Sequence, residues 1–181
     1  MNINEVINTN RVCEIKLSRK AKDSRKLMAV WDRDMGSARL KVNTGRVYLV
    51  VINGEIEKIG GSQSKGGIKN TIGSYLGGYA PGNSPRTYCC WNKFYQAIKN
   101  GDKVEIYATW APTVECVIPT MTGSVTRTIP VDFHTIEDAF VQEYVLKHGK
   151  HPELNIQEAG RTWQETGLLE GWPGMAGKAV I

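Results

Sequence analysis

The chain has 181 residues, of which 41% are apolar and 23% charged, and a formal net charge of +5. That length accommodates one α+β core with additions and excludes two large domains. No apolar run approaches the roughly 18 residues of a membrane span, and Met1-Asn2-Ile3-Asn4-Glu5 lacks a signal-peptide pattern, so a cytoplasmic protein is expected.

The positive charge is uneven. Residues 1–46 hold 11 Lys/Arg against 5 Asp/Glu, a local balance of +6, and the remaining 135 residues carry −1. Arg19-Lys20-Ala21-Lys22 and Arg25-Lys26, with Trp31, Arg33, Arg39 and Lys41 beyond, read as a basic N-terminal arm (residues 1–45) suited to phosphates; the alternative is a solvated helix face.

Val47 to Ile52 is an apolar, β-branched run, and Asn53-Gly54 is a strong type I′ turn signal because that turn needs positive φ twice. Glu55 to Ile59 then alternates polar with apolar, which predicts a hairpin. Gly60-Gly61-Ser62-Gln63-Ser64-Lys65-Gly66-Gly67 is a glycine-rich turn, after which Ile68, Ile72, Tyr75 and Leu76 follow a helical stripe. Pro81 to Thr87 reads as a loop, Trp91 to Ile98 as a short helix, Asn100-Gly101-Asp102 as its stop and Lys103 to Trp110 as a strand. Val114 to Ile118 and Val125 to Ile129 form a second predicted hairpin, turning at Thr122-Gly123-Ser124. A late helix is expected over Ile136 to His148, with Thr135 near its cap, and the segment closes on Pro152-Glu153-Leu154-Asn155.

Four cysteines, Cys13, Cys89, Cys90 and Cys116, include a vicinal pair and no C-x-x-C spacing, which suits reduced thiols. A zinc site using Cys89, Cys90, His148 and His151 is the alternative, since His148-x-x-His151 brings two imidazoles close. Trp163 and Trp172 in the Gly/Pro-containing tail are expected to pack on the domain.

The order of Tyr48 in a first strand, Lys58-Ile59-Gly60 ending a second, a helix ending Ser74-Tyr75 and a late glutamate resembles the GIY-YIG nuclease superfamily. The resemblance extends to its small type II restriction endonuclease branch, which also has Lys-Ile-Gly, and covers about Arg46 to Asn155. It implies a small central antiparallel β-sheet of three to five strands flanked by helices, with a nuclease core over 46–155 between the basic arm and a C-terminal tail over 156–181.

The resemblance also implies roles. Tyr48 becomes a general base or water-positioner, Lys58 lowers the tyrosine pKa or holds the scissile phosphate, Tyr75 bonds phosphate or water, and Glu137 binds a single Mg²⁺ (or Mn²⁺). Glu143 is the rival metal ligand, because other branches place the glutamate nearer the closing Pro-x-x-Asn. The family's helix arginine falls at Thr71; Lys69, two residues away and about 200° around the helix, points the wrong way, so either Lys65 or Arg86 delivers the cation from elsewhere or the activity is weakened or lost. Lys65, Lys69 and Arg86, with Arg19, Lys20, Arg25 and Lys26, are the candidate DNA-binding residues. Such a set suits phosphodiester hydrolysis, which needs a base for water, a cation for the phosphorus centre and a metal at the leaving oxygen. The expected activity is metal-dependent, sequence-specific (restriction-type) hydrolysis of double-stranded DNA by a bacterial or phage-encoded homodimer. The alternative is a DNA-binding protein on a retired nuclease scaffold.

Overall fold

A computed structural model describes residues 1–18 and 24–175. The described residues hold seven strands: β1 (Asn10–Leu17), β2 (Leu27–Trp31), β3 (Arg46–Ile52), β4 (Glu55–Ser62), β5 (Val104–Trp110), β6 (Thr113–Thr120) and β7 (Gly123–Pro130). Four α-helices join them: α1 (Ser37–Lys41), α2 (Gly67–Leu76), α3 (Pro85–Lys99) and α4 (Phe133–His148). The first five strands form one antiparallel sheet ordered β2-β1-β5-β3-β4, and β6 and β7 pair separately. The α+β class and the flanked antiparallel sheet are as expected.

Strand β3 is buried along its whole length because both faces of the sheet are covered there. Tyr48, Val50 and Ile52 pack with α2 and α3 residues such as Ile68, Ile72 and Phe94, while Val47, Leu49 and Val51 pack with Ile56, Ile59 and Tyr144 of α4. The Asn53-Gly54 turn has φ of 49° and 85°, the two positive values its sequence predicts.

The N-terminal segment differs from a free arm. Residues 10–17 and 27–31 are sheet strands, with β1 pairing β5, and Arg11 bonds Glu105 at 2.6 Å while Lys16 bonds Glu14 at 3.1 Å. Charge density hid the strand pattern, in which Cys13 and Ile15 of β1 alternate with Glu14 and Lys16, and Leu27 of β2 is buried as well. Arg19, Lys20 and Lys22 lie outside the described residues. Helix α3 likewise begins earlier than expected: Ser84 caps it by accepting the Thr87 N–H at 3.3 Å, and Pro85 opens its first turn, so Arg86 is helical and not in a loop.

The β6–β7 hairpin stands off the main sheet, exposing Val117 and Met121. The C-terminal segment is part of the domain: Leu154, Ile156 and Leu169 are buried, the Tyr88 hydroxyl donates to the Glu170 carbonyl at 2.8 Å, and Trp172 Nε1 donates to the Asn83 carbonyl at 3.2 Å. Among the described residues no helix is long and apolar enough to cross a membrane.

Strand β4 is an edge strand whose free side is bonded by both terminal segments of the described chain: the Met1 carbonyl accepts the Ile56 N–H at 3.0 Å, and the Leu154 N–H donates to the Glu57 carbonyl at 2.8 Å. Asn155, fully buried, accepts the Ile59 N–H at 2.8 Å and donates to the Ile59 carbonyl at 2.9 Å. Replacing Asn155 by leucine, which keeps the bulk and removes both bonds, is expected to cost about 2–4 kcal/mol, since two buried backbone groups lose their partners. Urea unfolding measures it, and a loss below about 1 kcal/mol would mean that water replaces the amide at this edge.

Candidate active site

Strand pairing sets the centre of the site. Tyr48 lies opposite Gly60 on β4, and a Cβ at Gly60 would fall 2.6 Å from the Tyr48 hydroxyl oxygen. Glycine there lets the ring lie across the edge strand. Tyr75, near the end of α2, meets it: the two hydroxyl oxygens are 2.6 Å apart, and the rings are tilted by 53° at 6.3 Å. Arg86, in the first turn of α3, lies close enough to Tyr75 and Tyr48 for its charge to act on both hydroxyls. Both tyrosines are buried and Arg86 is exposed, so the guanidinium links the pair to the surface.

Burial dominates the electrostatics. It pushes Tyr48 well above the ordinary tyrosine range, reinforced by Tyr75 and opposed by Arg86, and it raises Tyr75 as well. Desolvation works against the Arg86 charge, but Tyr75 and Tyr48 outweigh it and its pKa is raised. Cys90 is fully buried beside this group, its thiol pushed up by burial against the pull of Lys58 and Arg86.

Lys58 takes a different place from the one its motif suggests. It pairs with Val50, two residues from Gly60 along β4, and its buried Nζ donates to the Leu154 carbonyl at 3.1 Å. Burial lowers its pKa. The Tyr48 hydroxyl bonds Tyr75 instead, and Arg86 is the cation that acts on it.

Glu137 approaches from the other face. Helix α4, capped by Asp132, sets it in the second turn, where its carboxylate lies against the Gly61 backbone and a Cβ on Gly61 would collide with it. Burial raises its pKa, while Gly61, His134 and Lys58 pull it down. His134 Nδ1 is 3.7 Å from its Oε2. Because successive residues of a strand face opposite sides, Gly60 opens β4 toward Tyr48 and Gly61 opens it toward Glu137. Glu143 instead pairs with Lys147 at 3.0 Å.

A single hard carboxylate at a bare strand edge fits an ion that retains water and draws further ligands from a phosphate, the habit of Mg²⁺ or Mn²⁺. Glu158 is the other acidic group acting on Glu137 and Lys58. Among the described residues no three His, Cys, Asp or Glu side chains are gathered for a metal. The four residues of the zinc alternative are not gathered: Cys90 lies by Lys58 and Arg86, Cys89 lies near Thr166, and the His148 ring is tilted against Tyr144 at 4.7 Å.

The remaining candidates are dispersed. Thr71 Oγ1 bonds Ser62 Oγ at 2.8 Å, so a hydroxyl pair fills the position of the expected arginine. Lys65 and Lys69 flank the start of α2, Lys69 lying 5.6 Å from the Trp31 ring centre. Arg25 sits 5.4 Å from the Tyr79 ring centre, and Lys26 is exposed. Gly61, Cys90 and His134 are neighbours of the site that motif spacing does not single out; the Gly60-Gly61 doublet is the available signal for the first.

No protein-family model and no curated protein matches the chain. Among solved structures, a mutant of bacteriophage T4 EndoII superposes with a TM-score of 0.51 at 16% identity, covering 80% of this chain and 95% of that one. The restriction endonuclease HPY188I in complex with product DNA gives a TM-score of 0.43 at 21% identity, covering 83% of this chain and 80% of that one. The first shows a shared fold.

The raised tyrosine pKa values have a measurable sign. Above the ordinary tyrosine pKa of about 10 the unfolded chain ionises while buried Tyr48 and Tyr75 stay neutral, so stability should fall as pH rises past that point. Tyr48→Phe should flatten the fall in a urea series from pH 8 to 11. An unchanged slope would place the titration elsewhere. Gly60→Ala should displace the Tyr48 ring and lower the melting temperature by several degrees, read by circular dichroism.

Proposed function

We propose that this protein is a metal-dependent endonuclease that hydrolyses double-stranded DNA, of the GIY-YIG type and related to its restriction branch. The observation that carries the reading is the convergence of Tyr48, Tyr75 and Arg86 on one face of the Gly60-Gly61 edge with Glu137 on the other. The fold shared with the phage endonuclease EndoII supports it.

In this reading Arg86 does the work assigned to the absent helix arginine. An incoming phosphate competes with the Tyr75 hydroxyl for the guanidinium, which holds the phosphate by charge-assisted hydrogen bonds. Burial keeps both hydroxyls protonated, so the Tyr48–Tyr75 pair acts by orienting the attacking water through hydrogen bonds, and the proton that the water loses passes to a non-bridging oxygen of the phosphate. Glu137 would hold Mg²⁺ or Mn²⁺, which when bound supplies charge neutralisation at the leaving 3′ oxygen. Lys58 steadies the site from beneath through Leu154 and adds positive potential. Cleavage of both strands by a homodimer at a defined site completes the proposal.

Incubating the protein with plasmid and Mg²⁺, with and without EDTA, tests the reading: metal-dependent discrete fragments are expected. A mobility shift without cutting would leave a DNA-binding protein on this scaffold. Glu137→Gln should lower the cleavage rate by at least about 10³-fold with DNA affinity nearly unchanged, because a metal ligand acts mainly on the transition state. Arg86→Ala should cost about 10²–10³-fold and Arg86→Lys somewhat less, as a point charge keeps the attraction without the fork. Single-turnover kinetics measure these, and full activity of Arg86→Ala would sink the assignment of the relocated cation.

A further inference from the structure

An open groove of about 440 Å³ at the start of α2 is lined by Lys41, Lys65, Gly66, Lys69 and Asn70. Its three lysines come from two separate parts of the chain. Lys41 ends α1, Lys65 belongs to the glycine-rich turn, and Lys69 lies in the first turn of α2. Gly67, at φ 69°, lets the end of α1 press directly on the start of α2, where a Cβ would strike the Leu40 carbonyl and the Lys41 backbone. Among the described residues the lysine ion pairs are those of Lys16, Lys93, Lys103 and Lys147, so the three groove lysines have no carboxylate partner there. Three like charges held together without a counterion repel one another and attract an anion.

Arg46, which is fully buried, bonds the backbone next to two of the groove lysines. Its Nη1 donates to the Val42 carbonyl at 2.8 Å and its Nη2 to the Ser64 carbonyl at 2.9 Å, and Nε has no partner. Val42 follows Lys41 and Ser64 precedes Lys65, so one guanidinium ties together the two segments that carry the lysines. Asn70 Nδ2 adds a bond to Ser64 Oγ at 2.7 Å. Two neutral carbonyls alone are poor compensation for a buried cation. An anion in the groove would offset that cost, which gives the arginine a purpose beyond bridging two loops.

We propose that Lys41, Lys65 and Lys69 form a second phosphate site, organised by Arg46, that holds a backbone phosphate of the DNA duplex away from the point of cleavage. The inference rests on the nuclease reading for its choice of occupant. Eight residues of α2 separate Gly67 from Tyr75, about 12 Å along the helix axis, so the groove phosphate is distinct from the one at the tyrosine pair. The site therefore fixes how the duplex runs across α2, and it reads no base, because lysine contacts to phosphate carry no sequence information.

The test is duplex binding by fluorescence anisotropy across a salt series, in a Glu137→Gln background that prevents cutting. Combining Lys41→Ala, Lys65→Ala and Lys69→Ala should weaken binding several-fold at fixed salt and reduce the log–log salt slope by about 0.9 for each phosphate that is no longer neutralised. Lys99→Ala, on the far helix, should change neither. Arg46→Lys keeps the charge but cannot hold both carbonyls, so it should lower affinity part of the way while melting temperature is followed alongside. A salt slope in the triple variant equal to that of the parent overturns the proposal, and Arg46→Lys that lowers melting temperature with binding intact overturns the organising role. Inorganic phosphate, matched to chloride in ionic strength, separates the two sources of the anion: lysine-dependent phosphate binding with an unchanged duplex slope would replace DNA by free phosphate as the occupant. Cutting by wild-type protein with an unaltered triple-variant slope would sink this inference alone. Lysine-dependent duplex binding with no cutting under any metal would sink the nuclease reading and leave the groove.

Discussion

The structure depends on a stretch of edge strand with no side chains. Any residue other than glycine at 60 would strike the Tyr48 ring, and any at 61 would displace the Glu137 carboxylate. Since the pleat points these positions to opposite faces, the doublet opens β4 on both sides at once. A tyrosine pair from the α2–α3 face and a carboxylate from the α4 face thereby converge on one place that neither face could build alone.

An edge strand without side chains is also a weak strand, and the chain compensates locally. Two adjacent glycines raise the entropy lost on ordering β4 and remove packing there. Asn155 answers by bonding both backbone groups of Ile59, the residue before the doublet, and its turn also supplies the Leu154 carbonyl that Lys58 bonds. The C-terminal segment is thus part of the site's frame, which explains why residues 154–156 are buried although they follow the last helix.

Backbone-determined features were legible in the sequence and side-chain reach was not. The Asn53-Gly54 turn, the strand ending at Gly60, helix α2 and the late helix with Glu137 all follow from φ requirements and hydrophobic period, and each lies within a few residues of its expected bounds. The N-terminal strands escaped because Glu14 and Lys16 alternate with Cys13 and Ile15, so ion pairs among strands read as a basic arm. The early start of α3 is signalled by Ser84-Pro85, a cap followed by a first-turn proline, and without that signal Arg86 moves from a helix N-terminus to a loop.

The cations are the least legible part for a physical reason. Strand register fixes a glycine or a tyrosine to within one residue, because a shift of one reverses its face. An arginine or lysine carries its charge at the end of a long flexible stem, so the same point in space can be reached from several elements. Here the position that resemblance reserves for arginine holds Thr71, bonded to Ser62, while Arg86 reaches the tyrosines from the neighbouring helix and Lys58 is drawn aside to Leu154. Spacing along the chain therefore identifies the scaffold of such a site more faithfully than its charges. A missing arginine in a motif is weak grounds for a lost activity until the surrounding helices have been searched for another.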